Sequence, residues 1–343
     1  MNAVNSALVL DHLRRLIAIP SPAGYTDDIS RYLMDTLAGY GFSPVRSRKG
    51  TVTCALGGEG TQHAVLAAHV DTLGLMVREV QSNGRLRFTK LGSPSLPALE
   101  TEQVTVCTRD GRKYTGVIQL QNASKHVNDK LDTAARDQDT LEILLDELVD
   151  SKEAVAALGI AAGDVVFVDP RLVVTPSGFI RSRFLDDKLS AAMLLAVAQA
   201  VSGGLRLKRR TTLLFSVYEE VGHGASQGVP ADADDLLVVD MGCVGEGLAC
   251  TETMVSICAK DSTGPFDYRF TSELIALAKG AGLRYAVDIY PSYGSDAATA
   301  RAAGCDLRCA LIGAGVYASH GYERSHVQGV ESTVQLILAY VGS

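Results

Sequence analysis

Apolar positions along this chain switch between two periods. Near the start, Leu8, Leu10, Leu13, Leu16 and Ile17 fall on one helical face. Residues 27–40 repeat the pattern with Ile29, Tyr32, Leu33, Leu37 and Tyr40. Thr26 stands where a cap for that second helix belongs, and Asp27 and Asp28 suit its positive first turn. Four short apolar runs then read as buried strands: AVLAA at 64–68, TTLLFSV at 211–217, LLVVD at 236–240 and ALIGA at 310–314. Helical stretches at 187–202 and 272–280 lie among them. Buried strands alternating with helices predict an α/β fold, a mixed β-sheet layered by helices.

Residues 75–177 depart from this rhythm. Short β-like pieces (LMVREV, RLRFT, QVTVCT, KYTGVIQL, DVVFVD) alternate with hairpin signals at Asn83-Gly84 and Asp110-Gly111. Only 138–149 reads as clearly helical. The segment is expected to be an inserted, mostly-β domain, which makes the main domain discontinuous, 1–74 plus 178–343. There is no internal repeat and no low-complexity tract.

Composition fits this picture. At 343 residues the chain is long for one domain. Hydrophobic residues at 47% and charged residues at 21% suit a globular protein with a large core. A net charge of −7 argues against a nucleic-acid partner. No charge-free apolar run reaches the roughly 18 residues of a spanning helix. The first twenty residues lack the basic start and long apolar stretch of a secretory signal. The seven cysteines are widely spaced, without a CxxC pair, and read as reduced thiols. A cytoplasmic location is expected.

The candidate chemistry sits in five places. His69 follows a strand in AAHVDTLG, Asp186 opens a helix in RFLDDK, and Glu220 stands in YEEVGHGA. Asp240 ends a strand in VVDMG, and His320 lies in ASHGYERSH. Two imidazoles and three carboxylates can hold two divalent metals if one carboxylate bridges, which leaves Glu219 as a spare acid for proton transfer. The spacings are long and no HExxH is present, so the weight rests on the flanks. Asp71, two residues after His69 on an extended chain, projects to the same side and can reach the back nitrogen of its ring. An adjacent acid pair at a core edge calls for a metal or a shifted pKa. Taken alone, each motif has a plainer explanation: a satisfied core histidine, a helix-start acid pair, a turn aspartate. His223 reads as a surface histidine. YGSDA at 293–297 reads as a helix start capped by Ser295 that also faces substrate.

The motifs in order, IPSPAGYT, KGTV, AHVDTLG, RFLDDK, YEEVGHGA, VVDMG, YGSDA and the final histidine, resemble the M42 family of metallo-aminopeptidases, the glutamyl or deblocking aminopeptidase and endoglucanase-like group. The likeness covers most of the chain. It implies a zinc-peptidase-like catalytic domain, with His69 binding one metal and Asp71 orienting it. Asp186 would bridge the metals, Glu219 would be the general base and Glu220 a ligand. Asp240 would complete the first metal's site and His320 the second's. The resemblance further implies two divalent ions per chain, zinc by default with cobalt or manganese possible. It implies short peptide substrates and a homo-oligomer built through the inserted domain. Thr72 is a mild departure. The ending YASHGYERSH is a larger one, for the family usually shows Tyr, any residue, His, Ser, Pro and a nearby Glu. His320 is chosen over His326 because its spacing to Glu331 matches the family's approach to the closing helix. This ending also resembles the branch found beside osmoprotectant dipeptide synthesis enzymes.

The reading is a two-metal aminopeptidase. A related deacylase acting on N-blocked dipeptides or N-acyl amino acids stays open, because Arg181 and Arg183 offer cations for a carboxylate. A non-catalytic scaffold on the same fold is the other alternative, against which the intact Glu219-Glu220 pair argues.

Overall fold

The computed structural model describes residues 4–342, which form two compact units. One runs up to Thr72 and resumes at Arg171; the other is Leu73–Pro170.

The first unit is built on a large mixed sheet. Its centre is a parallel block in which Arg210–Ser216, His63–His69, Asp235–Val239 and Arg308–Tyr317 lie side by side. All seven residues of His63–His69 are buried, which explains why its sequence is a continuous apolar run rather than an alternation. Val52–Gly57 pairs antiparallel on one flank. On the other flank Glu323–His326 follows Arg308–Tyr317, and Phe179–Ser182 pairs antiparallel with it. The helix Leu185–Ser202 is buried on nearly every side, as its Ala- and Leu-rich sequence requires, and packs on His63–His69 and on Ser6–Ile17. Ser6–Ile17 and Asp27–Gly39 form as their apolar spacing predicts. Thr26 occupies the cap position of the latter without a side-chain bond, so the two first-turn aspartates are its only favourable end charges.

The second unit is a closed six-stranded barrel: Gly74–Val80, Leu86–Leu91, Leu141–Leu145, Lys113–Leu120, Gln103–Cys107 and Val165–Val168, in that order. Both hairpin signals are turns, with Gly84 and Gly111 at φ 78° and 86°. The helix expected at 138–149 is absent. Leu141–Leu145 is instead a strand whose Leu141 and Ile143 are fully buried, in register with Leu120 and Ile118. The helix-forming residues there favour a helix by only tenths of a kcal/mol each. Filling the barrel wall between two strands outweighs that preference. The short helix of this stretch comes later, at Lys152–Ala157, with Ser151 accepting from the Ala154 N–H.

Candidate metal centre

Open α/β sheets present their sites at the carboxyl ends of their parallel strands, and that is where the candidate residues gather. His69 is the last residue of its strand. Its Nδ1 lies 2.9 Å from the Asp71 backbone oxygen, so the Nδ1–H donates there and Nε2 faces the acids. The Asp71 carboxylate is 3.8 Å from the same nitrogen, too far for a hydrogen bond. It accepts instead from the Glu219 and Glu220 N–H groups, at 3.0 and 3.3 Å. Asp71 thus orients His69 through its main chain and holds the acid-pair turn through its side chain.

Asp186 stands between the two histidines. Its Oδ1 is 3.0 Å from His69 Nε2 and its Oδ2 is 3.6 Å from His320 Nε2. Glu220 Oε2 lies 3.7 Å from His320 Nε2, and Glu219 Oε2 lies 3.8 Å from His69 Nε2. Donor atoms of His69, Asp186 and Glu220 fall within 4.8 Å of one another, as do those of His69, Asp187 and Asp240. Asp187, joined to Asp186 by a cis peptide, also accepts from the His69 N–H at 3.1 Å. Four non-glycine residues with left-handed backbone punctuate these loops: Phe184 at φ 65°, Tyr218 at 67°, Ala318 at 58° and His320 at 63°. Such strain concentrates where a fold aims functional groups.

Burial dominates the electrostatics. It drives the carboxyl pKa values of Glu219, Glu220 and Asp187 well above their ordinary range, and neighbouring acids add to the shift. Asp240 is pushed up to about 7 by burial and by the Asp186 charge, and Asp71 to about 6 by burial. Burial disfavours the His69 imidazolium, but Asp186, Glu219 and Asp240 outweigh it and hold its pKa well above the usual value. Glu220 Oε1 and Asp187 Oδ1 are buried without any hydrogen-bond partner. Crowded, unpartnered carboxylates beside imidazole nitrogens are the donor set of hard-to-borderline divalent cations. The residues present fit a divalent metal ion.

Three further residues, each inside one of the quoted motifs but given no role there, carry weight in this region. Glu323, 2% exposed, accepts from the backbone of Asp186 and His320. Asp296 accepts from Ser216 Oγ at 2.5 Å and the Ala225 N–H at 2.7 Å, tying the acid-pair loop to the sheet. Tyr293 donates its hydroxyl to the carbonyl of Met241, the residue after Asp240, at 3.4 Å. Ser295, expected as a helix cap, makes no cap bond, and its buried hydroxyl has no partner. His223 is exposed and stacks on Tyr218. His326 caps the closing helix Val327–Val341: its Nδ1 accepts from the Gln328 N–H at 3.1 Å and its Nε2 donates to the Ser177 carbonyl at 2.9 Å. Glu331 accepts from Ser6 Oγ at the surface.

An open α/β sheet with an acid-and-imidazole cluster at its strand ends, joined to a barrel unit, is the build of a metal-dependent peptide hydrolase. The M42 glutamyl aminopeptidase model matches residues 50–336, and the chain belongs to that family. YhfE of Bacillus subtilis (strain 168), an aminopeptidase by provisional name, is 40% identical over all of this chain and 99% of its own length. An aminopeptidase from the archaeon Desulfurococcus kamchatkensis shares the fold at a TM-score of 0.86 with 21% identity, covering 98% of this chain and 95% of its own. The TET1 peptidase of Pyrococcus horikoshii, which can assemble into a tetrahedron or a large octahedral shell, matches at 0.83 with 21% identity, over 97% and 99% of the two chains. Among the described residues no helix is long and apolar enough to cross a membrane.

Proposed function

We propose that this chain is a two-metal aminopeptidase of short peptides, with His69, Asp186, Glu220, Asp240 and His320 as ligands and Glu219 as general base. The observation that carries the reading is the Asp186 carboxylate, whose two oxygens face His69 and His320 separately, as a bridging ligand requires. Bound there, the two ions would polarise the scissile carbonyl and acidify the attacking water. Zinc suits the donors, and so do cobalt and manganese. Asp240 and Glu220 would complete the two ends of the set. Glu219, adjacent to a ligand and facing His69, accepts the proton of the attacking water and delivers it to the leaving amine. Asp71 fixes both players, the His69 ring by its carbonyl and the Glu219 turn by its carboxylate.

The charge balance favours a free amino terminus over a blocked one. Eight buried carboxylates (Asp71, Asp186, Asp187, Glu219, Glu220, Asp240, Asp296 and Glu323) surround the centre. Two bound dications would offset four of these eight charges at most, and the acid that remains in excess attracts a substrate ammonium and repels an N-acyl amino acid's carboxylate. Arg183, a candidate cation for the latter, is buried and donates to the Gly321 carbonyl, while Arg181 points outward. A scaffold has no use for such a cluster, which destabilises the fold without a cation. The likeness to the Pyrococcus horikoshii peptidase supports a homo-oligomer, with the barrel Leu73–Pro170 as the assembly element. Seven free cysteines, five of them buried, suit the cytoplasm. A panel of matched free and N-blocked dipeptides, assayed with zinc, cobalt and manganese in turn, tests the reading. Cleavage of the free set alone is the expected result. Preference for the blocked set would transfer the chain to the deacylases.

A further inference from the structure

Asp186 and His320 lie 134 residues apart in the chain, and what brings them together is a strand pair. Phe179–Ser182 runs antiparallel to Glu323–His326, with Ser182 opposite Glu323. Each strand borders the loop that carries one of the two residues: Asp186 follows Ser182 and His320 precedes Glu323. Glu323 therefore sits at the open end of the pair, where both loops begin. Its two oxygens are used separately. Oε2 accepts from the Asp186 N–H at 3.1 Å, and Oε1 from the His320 N–H at 3.2 Å. His320 has a left-handed backbone, φ 63°, a conformation that a non-glycine residue keeps only when its surroundings impose it.

We propose that Glu323 is a positioning residue that sets the spacing between Asp186 and His320, and so the second half of the metal centre. This inference rests on the two-metal reading. Glu323 binds no metal itself. Its carboxylate is a rigid bracket between two main chains, each carrying one ligand. The group has to be a carboxylate: two independent acceptors aimed at two N–H groups are what Glu supplies and what Gln, with one acceptor and one donor, cannot. Removing a group that orients ligands typically weakens metal binding by about 10–100-fold.

The test is Glu323→Gln, measured as metal affinity by calorimetric titration of zinc into chelator-stripped protein, alongside kcat and KM. Expected is a loss of about 10–100-fold in affinity for at least one of two ions, with kcat recovering as zinc is raised and KM for peptide little changed. Ser325→Ala on the same strand, which loses a buried bond to the Gly315 carbonyl, should lower the melting temperature without moving metal affinity. Should Glu323→Gln not fold, Glu323→Asp keeps both acceptors but withdraws them by one methylene, and it carries the same expectation. If the folded variant binds two ions within about twofold of wild type, the inference is overturned. Weakening that equals the effect of Ser325→Ala overturns it too. Failure of the two-metal reading would show differently, as a wild-type chain that takes up no zinc.

Discussion

His320 and His326 are six residues apart, and the structure gives them different work, so replacing each by alanine separates metal binding from stability. His326 is 8% exposed. Truncating it deletes the bond to the Ser177 carbonyl, the cap on the Gln328 N–H and an edge-on contact with Phe179 at 4.8 Å. One hydrogen bond at about 1 kcal/mol, one cap at about 1 kcal/mol and one aromatic pair at about 0.5–1.5 kcal/mol together cost about 2–4 kcal/mol. In a unit of this size that lowers the melting temperature by roughly 5–15 °C. His320 is half-buried, and its ring faces Asp186 and Glu220. Losing it should change the stability of the metal-free protein by less than about 1 kcal/mol. The assay is elemental analysis of the purified variants beside calorimetric melting of their chelator-treated forms. His320→Ala should hold about one ion where wild type holds about two, and His326→Ala should hold two and melt early. If His326→Ala drops an ion while His320→Ala keeps both, the assignment of the second metal is wrong.

Three further outcomes follow from the same geometry. Glu219→Gln keeps the shape of the side chain and the N–H bond to Asp71 but cannot take a proton; kcat should fall by about 10²–10⁴ with both ions retained, and near-normal turnover would exclude Glu219 as the base. In metal-free protein Asp71 and Asp240 titrate near 6 and 7 rather than 3.8, so between about pH 4 and 7 the folded chain holds more protons than the unfolded one and stability falls as pH rises. Melting should occur at a higher temperature at about pH 5 than at about pH 8, and a profile rising with pH contradicts the raised values. A Cβ on Gly313 would lie 1.8 Å from the Asp240 carbonyl oxygen, so Gly313→Ala must displace the Asp240 strand end, costing about 1–3 kcal/mol and weakening metal uptake; an unperturbed variant would show that this end is pliable.

Sequence revealed the two kinds of element that are decided locally. His63–His69 and Arg210–Ser216 are covered on both faces, so their apolar runs are unbroken. Ser6–Ile17 shows its buried stripe at helical spacing. Leu141–Leu145 was misread because its residues prefer a helix and only the barrel makes them a strand. At the site, His69, Asp186, Glu219, Glu220, Asp240 and His320 each stand out in a short motif. Their meeting comes from the strand order, parallel for the strands that carry His69, Glu219, Glu220 and Asp240 and antiparallel for the pair that flanks Asp186 and His320, which no spacing encodes. Glu323 and Asp296 stand in quoted motifs, but their roles stay hidden for another reason: most of their partners are backbone N–H groups, and any sequence supplies those. The tie between Asp71 and the acid-pair turn is hidden in the same way, since it depends on the main-chain path of Glu219 and Glu220.

The central claim is that the acid cluster exists to hold two metal ions that the reaction needs. The most direct measurement is metal content against peptidase activity as chelator strips the protein and a divalent ion is added back. About two ions per chain, activity lost with them and restored on re-addition, is the result this account predicts. Full activity in protein shown to be metal-free would contradict it.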